Sequence, residues 1–506
     1  MAEEKPALSK AEGKPEEKPA LSKVEGKEEK PTPKDNLVVT KHTMKIGGRE
    51  IKYTVTAGTI VMKEETNDRE KEAEGEKPRA QIFFVAYTRD GVRNPSKRPL
   101  TFSFNGGPGS SSVWMHLGVL GPRRVLLKDD GELPPPPYKL TDNDYSILDE
   151  TDLVFIDPMS TGYSRPVEGQ KPKEWHGFKK DIESVGDFIR LYTTRNNRWL
   201  SPKFLIGESY GTTRSAGLSG YLQMRHGMYL NGIMLISVVL DFTTLDFDVN
   251  NDLPNILFLP GYTATAWYHD VLKPKRTLKE WLKEAEEFAL GDYAKALRVG
   301  DSLSKAERAD IVKRTSYYTG ISEQFVDRSN LRINAFHYFK ELLRERGLTV
   351  GRLDSRLLGR DRLGVTEYAE YDPLLTNIMG PYTAAFYDYI RRELKFESDL
   401  PYEILSGFVR PWSYKEFENA YVNVGETLRS AMTYNPYLKV FAANGYYDLG
   451  TPYFATEYTF NHLGLDESVR KNVSMEYYEA GHMMYIHMPS LKKMKKDLVK
   501  FLKSAM

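Results

Sequence analysis

Cysteine is absent from the 506-residue chain, and this absence excludes several kinds of protein at once. Without thiols there is no disulfide framework, no thiolate zinc site, no iron–sulfur cluster and no cysteine nucleophile. Histidine is also scarce, with 9 residues, and no His-Glu-x-x-His pattern or tight histidine pair occurs among them. We therefore expect neither a zinc enzyme nor any other metal or cofactor. The compartment stays open, because a cysteine-free chain tolerates oxidising and reducing surroundings alike.

Long apolar runs and an excess of charge of one sign are missing as well. The longest apolar stretch, residues 232–240, is far shorter than the roughly 20 residues that a helix needs to cross a bilayer. The 71 basic and 70 acidic residues leave a net charge of +1, without the basic stripe that nucleic-acid binding requires. We therefore expect neither nucleic acid nor a membrane as a partner. Residues 1–6 are polar rather than typical of a signal peptide, so a cytoplasmic location is expected by default. A periplasmic or secreted location is the alternative, if a leader has been removed.

Residues 1–36 have low complexity. Glu-Glu-Lys-Pro-Ala-Leu-Ser-Lys occurs at residues 3–10 and again at residues 16–23, and a partial third copy begins at Glu28. A segment this rich in charge and proline, and without aromatic residues, cannot bury enough apolar surface to offset its ordering entropy. We predict a disordered tail that acts as a spacer, with a partner-binding role as the alternative.

Apolar runs that favour strands alternate with helical stretches from residue 37 onwards. The candidate strands are residues 37–46, 51–62, 81–87, 100–104, 152–157, 203–206, 232–240, 438–443 and 473–478, with the charged residues 64–77 as a loop. Gly47 and Gly48 between the first two runs indicate a hairpin. The alternation predicts an α/β protein with a mostly parallel central sheet covered by helices.

The sequence pattern changes between residues 244 and 430, where it becomes mostly helical and charged. Thr277 and Glu280 form a capping-box pattern at the start of one helix. The apolar face that follows consists of Leu278, Trp281, Leu282, Ala285, Phe288 and Ala289. We therefore predict a core made of residues 37–243 and 431–506, with residues 244–430 inserted as a helical cap.

The segment Gly207-Glu208-Ser209-Tyr210-Gly211 follows a predicted strand and precedes a helix-forming run, residues 212–225. In a nucleophile elbow, small residues on both sides let a serine occupy a strained strand-to-helix turn with its hydroxyl exposed. The helix N-terminus also favours developing negative charge. Ser209 is therefore the candidate nucleophile, and the alternative is a glycine-bounded turn carrying an ordinary serine.

A glycine-rich segment, Asn105-Gly106-Gly107-Pro108-Gly109, comes directly after the predicted strand at residues 100–104. In α/β-hydrolases a loop at this place donates one N–H to the oxyanion, and the residue after the nucleophile donates another. Gly107 and Tyr210 are the two candidate donors here. A P-loop is excluded because no Gly-Lys-Ser/Thr follows. The alternative is a simple connecting loop.

Asp448 and His482 each follow a predicted strand near the end of the chain. With Ser209 they give the order Ser, Asp, His, which is the order of the α/β-hydrolase triad. In that arrangement His482 takes the Ser209 proton, and Asp448 orients the imidazole and stabilises its cation. The three residues are therefore the predicted catalytic triad.

Taken together, these segments resemble the serine carboxypeptidase family. The matching pieces are Asn-Gly-Gly-Pro-Gly-x-Ser-Ser at residues 105–112, residues 118–122, Asp157-Pro158, Thr161-Gly162-Tyr163-Ser164, Gly-Glu-Ser-Tyr-Gly at residues 207–211, Gly445-x-x-Asp448 and Gly481-His482-Met483. The resemblance implies an α/β-hydrolase fold with a helical cap inserted after the sixth core strand. It also implies hydrolysis of the C-terminal peptide bond of peptides through an acyl-enzyme on Ser209. A chain of this family without cysteine is identified as a bacterial-type member.

The resemblance also assigns roles around the triad. Gly107 and Tyr210 become the oxyanion hole, and Met483 borders the pocket for the departing residue. Asn105, Gly106 and Glu208 become the groups that hold the terminal carboxylate of the substrate. Because an ionised glutamate would repel that carboxylate, Glu208 has to act as a protonated donor with a raised pKa, which favours acidic pH. The implied partners are peptides with a free C-terminus, and no oligomeric state is predicted.

Three positions depart from the family pattern. Ser103 stands where the family has a tryptophan, and Ser110 stands where it has a cysteine. Val119 replaces a glutamate that the family pairs with the one beside the nucleophile, so half of the acidic clamp is missing. This leaves open another acyl-transfer enzyme on the same fold, such as an esterase or an acyltransferase. A non-catalytic binding protein is the third hypothesis, and it predicts damage to the triad that the sequence does not show.

Overall fold

The computed structural model describes residues 32–65 and 75–506. The repeats and most of the predicted tail lie outside the described residues, as do residues 66–74 of the predicted loop. Residues 64–65 and 76–77 of that loop are strand rather than loop, because one strand continues to Glu65 and the next begins at Glu76. The chain already joins the sheet at Asp35, whose Oδ1 accepts a hydrogen bond from the Val61 N–H at 2.8 Å.

The elements of the described residues are numbered in chain order. The strands are β1 Asn36–Ile46, β2 Arg49–Glu65, β3 Glu76–Arg89, β4 Leu100–Phe104, β5 Arg123–Val125, β6 Leu140–Asp142, β7 Asp152–Ile156, β8 Arg165–Pro166, β9 Lys203–Ser209, β10 Gly232–Val238, β11 Thr349–Val350, β12 Leu358–Gly359, β13 Lys439–Gly445 and β14 Val473–Tyr478. The α-helices are α1 Val113–Met115, α2 Phe178–Arg195, α3 Tyr210–His226, α4 Leu253–Tyr268, α5 Leu278–Phe288, α6 Ala294–Val299, α7 Lys305–Thr319, α8 Glu323–Arg328, α9 Ala335–Glu341, α10 Pro373–Asp388, α11 Gly425–Tyr434, α12 Tyr453–Asn461, α13 Glu467–Arg470 and α14 Met488–Ser504. Within the described ranges, no helix is both long enough and apolar enough to span a bilayer.

The central sheet runs in the order β1-β2-β3-β7-β4-β9-β10-β13-β14. Strands β1 to β3 form an antiparallel meander, and β3 is also antiparallel to β7. From β7 to β14 all neighbours are parallel. Carboxyl ends of parallel strands meet at one edge of a sheet, which is where open α/β sheets bind ligands. The loops after β4, β9, β13 and β14 therefore converge there.

Both faces of the sheet are buried, because the strands alternate their apolar side chains between two clusters. In β7, Leu153 and Phe155 point into one cluster, whereas Val154 and Ile156 point into the other. Helices α10 and α14 cover the first face, and α2, α3 and α11 cover the second. The predicted apolar face of α14 is buried, namely Leu491, Met494, Leu498 and Phe501. The mostly parallel, doubly covered sheet predicted from the sequence is confirmed.

A third apolar cluster lies within the helical insert and joins α4 to α9 with α12. The predicted capping box of α5 is present, with Thr277 accepting from the Glu280 N–H and the Glu280 carboxylate accepting from the Thr277 N–H. Its predicted face is buried, including Trp281 at 0 % exposure. Tyr447 and Leu449, in the loop after β13, belong to the same cluster. Although α10 falls within residues 244–430 and α11 crosses the end of that range, both pack in the clusters on the two faces of the sheet, and the domain boundaries stay a prediction.

Candidate active site

Ser209 ends β9 and caps α3 with φ +59° and ψ −129°, a conformation that non-glycine residues rarely adopt. The turn is held so tightly that a Cβ on Gly207 would lie 2.1 Å from the Gly211 carbonyl oxygen. A Cβ on Gly211 would lie 2.8 Å from the Phe104 carbonyl oxygen. The two glycines are therefore required by the turn itself. The surrounding packing holds Ser209 in this strained geometry and leaves its side chain half-buried, at the edge of a cavity.

His482 and Asp448 form a buried hydrogen-bonded pair, with 2.8 Å between His482 Nδ1 and Asp448 Oδ2. The carboxylate is satisfied on both oxygens. Oδ2 also accepts from the Thr451 hydroxyl at 2.7 Å, and Oδ1 accepts from the N–H groups of Gly450 and Thr451. Because Nδ1 donates to the carboxylate, the neutral imidazole keeps Nε2 as a proton acceptor. The pair is arranged as a general base needs to be.

The charges around His482 raise the pKa of its imidazole above the ordinary value. Burial lowers the pKa of the imidazole, but the carboxylate of Asp448 and the nearby Glu208 raise it by more. Arg352 opposes that rise because its positive charge lowers the pKa of His482. The net direction is upward from 6.5, so His482 must lose a proton near or above that pH before it can act as a base.

A short segment of the insert lies between the two loops that carry Asp448 and His482. The Leu353 carbonyl accepts from the His482 N–H at 2.6 Å, and the Arg352 carbonyl accepts from the Leu449 N–H at 2.9 Å. The buried carboxylate of Asp354 accepts from the Gly481 N–H at 3.2 Å. Residues 352–354 therefore fix both loops relative to each other. Their role was not predicted, because nothing in the local sequence indicates the contact.

The glycine-rich loop after β4 packs directly on the first turn of α3. A Cβ on Gly106 would lie 2.5 Å from the Tyr210 nitrogen and 2.7 Å from the Gly211 nitrogen. Gly107 has φ +103° and is exposed. First-turn N–H groups have no partner within their own helix, so the Tyr210 N–H is open to an acceptor. The two predicted oxyanion donors thus lie on adjoining backbone segments beside Ser209.

Asn105 and Glu208 meet as a buried pair beside Ser209. Asn105 Nδ2 donates to Glu208 Oε1 at 3.0 Å, while Asn105 Oδ1 accepts from the Met115 N–H at 3.1 Å. Burial raises the pKa of Glu208 to about 7, against opposing contributions from His482, Tyr485 and Asn105. Glu208 Oε2 and the Tyr485 hydroxyl are both buried and interact with each other, but no hydrogen bond of good geometry joins them. An acceptor or donor brought by a substrate would satisfy them.

The space beside Val119 is filled by aromatic rings. Val119 is 2 % exposed and packs in the first apolar cluster. A Cβ on its neighbour Gly118 would lie 2.5 Å from Tyr485 Cε2 and 2.7 Å from the Tyr382 hydroxyl. A phenol that faces Glu208 thus lies where the family pattern expects a second acid. Tyr485 comes three residues after His482, but no sequence signal connects it to Val119.

The predicted residues converge on one cavity of about 360 Å³. Its lining includes Asn105, Gly106, Gly107, Glu208, Ser209, His482 and Met483 together with Trp114, Arg352, Leu353, Leu375, Ile378 and Arg410. Asp448 and Tyr210 are not part of the lining: they lie behind His482 and at the start of α3. The arrangement offers a nucleophile, a base, backbone donors and a protonatable acid around one space, which suits acyl transfer.

Comparison with known proteins identifies the family. The family model "Serine carboxypeptidase" matches residues 73–495. The chain belongs to the serine carboxypeptidase family. The pheromone-processing carboxypeptidase KEX1 of Saccharomyces cerevisiae is 34% identical over 163 residues, which is 30% of this chain and 20% of that protein. Serine carboxypeptidase-like 45 of Arabidopsis thaliana is 27% identical over 180 residues, or 34% of this chain and 36% of that protein. The matches thus span only a minor part of either relative.

A solved structure supports the fold of this serine carboxypeptidase family member. The crystal structure of the prohormone-processing carboxypeptidase KEX1 from Saccharomyces cerevisiae superposes with a TM-score of 0.56 and 17% sequence identity. The match covers 89% of this chain and 91% of the yeast chain. The α/β-hydrolase fold is therefore confirmed, and so is the resemblance on which the sequence prediction depended.

Proposed function

We propose that the protein is a serine-type carboxypeptidase that removes the C-terminal residue of peptides through an acyl-enzyme on Ser209. The observation that carries this proposal is the Asn105–Glu208 pair, buried in the same cavity as Ser209 and His482. Glu208 has one oxygen without a well-formed hydrogen bond and a pKa raised to about 7. It can therefore be protonated and donate a hydrogen bond to a carboxylate, which distinguishes a chain end from a mid-chain amide.

The first half of the reaction forms the acyl-enzyme. Nε2 of His482 takes the hydroxyl proton while Ser209 Oγ attacks the carbonyl carbon of the last peptide bond. The developing oxyanion accepts hydrogen bonds from the N–H groups of Gly107 and Tyr210. His482 then gives its proton to the departing amine, the C–N bond breaks, and the C-terminal amino acid leaves past Met483.

The second half returns the enzyme to its starting state. Water attacks the ester carbonyl and gives its proton to Nε2 of His482, and that proton returns to Ser209 Oγ as the ester bond breaks. Asp448 keeps the imidazole oriented throughout, and its carboxylate is held by the Gly450 and Thr451 N–H groups. In both halves Asn105 Nδ2, the Gly106 N–H and protonated Glu208 are assigned to the terminal carboxylate of the peptide.

Another acyl-transfer activity on the same fold, such as an esterase or acyltransferase, is the second candidate. Val119 favours it because the partner acid of Glu208 is missing. Ser103 also favours it, since a small buried hydroxyl stands in place of a large aromatic ring. A non-catalytic binding role is opposed by the hydrogen-bonded His482–Asp448 pair. We also infer a bacterial-type member of the family from the absence of cysteine.

The deciding experiment compares a blocked dipeptide with a free C-terminus, its C-terminal amide and its methyl ester. We expect the free acid to be hydrolysed at least about a hundredfold faster in kcat/KM than the amide, because only the acid can engage Glu208 and Asn105. Ser209→Ala is the control for the nucleophile. Equal rates on acid and amide, with rapid ester hydrolysis, would favour the esterase. No labelling of Ser209 by a fluorophosphonate would favour the binding protein.

A further inference from the structure

The charged side chains that line the active-site cavity are unequally divided between the two signs. Arg352 and Arg410 are the cations, and Glu208 is the only carboxylate in the lining. Because burial raises the pKa of Glu208 to about 7, this group contributes little negative charge below neutral pH. The cavity therefore presents two guanidinium groups and no fixed anion to a substrate. A peptide that brings one carboxylate leaves one of those positive charges uncompensated.

Arg352 lies beside the catalytic pair. Its Nη1 is 3.5 Å from the position that a Cβ on Gly450 would occupy, and the Asp448 carboxylate is 3.2 Å from the same point. Its charge also lowers the pKa of His482. Arg352 is half-buried, yet within the described residues no hydrogen bond or ion pair engages its guanidinium group. A partly desolvated guanidinium without a partner is a strong site for a carboxylate, which it can bind with two parallel hydrogen bonds.

Arg410 lies on a different wall. It follows Val409, whose Cγ2 is 2.8 Å from the position of a Cβ on Gly109, so this wall adjoins the glycine-rich loop. The Arg410 side chain is exposed, and its guanidinium also lacks a partner in the part of the chain that the structure describes. A charge at an exposed rim is screened by salt and attracts an anion mainly from a distance. Arg410 should therefore contribute less to selectivity than Arg352.

The position of His482 indicates which substrate residue meets Arg352. In the proposed reaction His482 protonates the departing amine, so the departing residue has to lie on the His482 side of Ser209. Arg352 belongs to that side, because the carbonyl of the next residue, Leu353, accepts from the His482 N–H. Met483 lines the same part of the cavity. The side chain of the departing residue is thus the group within reach of the guanidinium.

We propose that the enzyme prefers peptides whose C-terminal residue is aspartate or glutamate, with Arg352 binding the side-chain carboxylate and Arg410 adding a weaker attraction. The inference rests on the proposed carboxypeptidase function and names its substrate class. Arg352 is in this view a specificity-determining residue. Asn105, Gly106 and Glu208 keep the main-chain carboxylate, so the two carboxylates of such a residue have separate partners.

The test measures kcat/KM near pH 6 for blocked dipeptides that end in Glu, Gln or Leu behind the same penultimate phenylalanine. A second pair carries Glu or Gln at the penultimate position and ends in Leu. For the wild type we expect terminal Glu to exceed terminal Gln by about tenfold or more, since a charge-assisted hydrogen bond replaces a neutral one. The penultimate pair should differ by less than about threefold, and about 0.5 M salt should reduce the terminal preference.

Variants assign the preference to the two arginines. Arg352→Gln should bring the terminal Glu/Gln ratio to within about twofold of one, and Arg352→Lys should leave an intermediate ratio because the point charge remains without the fork. Arg410→Gln should lower the ratio by a smaller factor. Arg328→Gln, at an exposed position of α8 outside the cavity, removes the same charge and should leave the ratio unchanged. The ratio is independent of how much active enzyme each preparation contains.

Several outcomes would overturn the assignment. A wild-type ratio of one or less, a preference confined to the penultimate position, or a ratio that survives Arg352→Gln would each do so. The last result would mean that a group other than Arg352 binds the side-chain carboxylate. The melting temperature shows whether Arg352→Gln folds. If it does not, the proposal is still tested by the terminal Glu/Gln ratios of the wild type, Arg352→Lys and Arg410→Gln. Cleavage of the Leu peptide without acid preference would overturn this inference alone, whereas no cleavage of any peptide would overturn the proposed function too.

Discussion

The active site has two parts, the Asp448–His482 side and the Asn105–Glu208 side, which differ in how completely their polar groups are satisfied. On one side, Asp448 accepts four hydrogen bonds from the imidazole, one hydroxyl and two N–H groups. On the other, Glu208 accepts one well-formed hydrogen bond from Asn105, and its second oxygen has only a poorly formed interaction with the Tyr485 hydroxyl. The first side is complete within the protein itself. The second is completed only by a molecule that brings its own polar groups.

This difference separates chemistry from selectivity. The Asp448–His482 pair would serve any acyl substrate, because its geometry does not depend on what enters the cavity. The Asn105–Glu208 pair leaves a buried oxygen unsatisfied, which costs about 1–3 kcal/mol until a substrate supplies a partner. A ligand without a carboxylate does not recover that free energy. The departures from the family pattern, Val119 above all, lie on the selective side.

The largest effect is expected from the nucleophile and the base. Ser209→Ala or His482→Ala should lower kcat by about 10⁴–10⁶-fold, because the acyl-enzyme can no longer form. The melting temperature should stay close to that of the wild type in both variants. Substantial turnover by a well-folded Ser209→Ala protein would show that the chemical side has been assigned to the wrong residues.

Glu208 should control the pH dependence of binding. Since its pKa is raised to about 7, Glu208 donates a hydrogen bond below that pH and repels the substrate carboxylate above it. KM for a peptide acid should therefore rise about tenfold for each pH unit above about 7. Glu208→Gln keeps a donor at every pH and should flatten that rise without abolishing turnover.

The matched control for this experiment is Glu457→Gln, a partly buried glutamate outside the cavity that accepts from the Tyr477 hydroxyl. It should leave the KM profile unchanged. In the wild type kcat should fall at low pH as His482 gains a proton, so kcat/KM should be highest near neutrality. If KM of Glu208→Gln still rises with pH, the ionisation that weakens substrate binding belongs to another group.

Tyr485→Phe tests whether a phenol takes over part of the role of the missing second acid. The ring would keep its packing against Gly118, and only the hydroxyl that interacts with Glu208 would be lost. We expect KM for a peptide acid to rise about three- to tenfold, with a much smaller change in kcat. Tyr382→Phe, next to the same glycine, is the comparison variant. Equal KM values for Tyr485→Phe and wild type would mean that Asn105 and Glu208 bind the substrate carboxylate without help from Tyr485.

The smallest effect is expected from Thr451→Val. This change removes one of the four hydrogen bonds to Asp448, while the two N–H donors and the imidazole remain. We expect kcat to fall by about two- to fivefold at unchanged KM. A loss of kcat close to that of His482→Ala would mean that Asp448 is held in place by this hydroxyl rather than by the backbone N–H groups.

Local signals predicted much of the structure. Strand periodicity placed β4, β9 and β13 well enough to bring Asn105, Ser209 and Asp448 to one edge of the sheet. The elbow at residues 207–211 could be predicted from its glycines, because few other residues fit so tight a turn. Tyr485 and Arg352 could not be predicted, since their importance depends on neighbours about 100 or more positions away. The packing of α10 and α11 on the sheet depends likewise on contacts that helical periodicity does not specify.

The segment at residues 352–354 limits how this enzyme can be re-engineered. It carries the chain from the helical insert back towards the sheet, and its carbonyl groups also hold the loops of Asp448 and His482. Grafting the insert of a relative onto this core as a cassette would exchange that support together with the pocket walls. A chimera that takes the insert of a relative but keeps residues 351–357 of this protein should retain turnover. A chimera that takes this stretch from the relative as well should gain a new pocket but lose the orientation of His482.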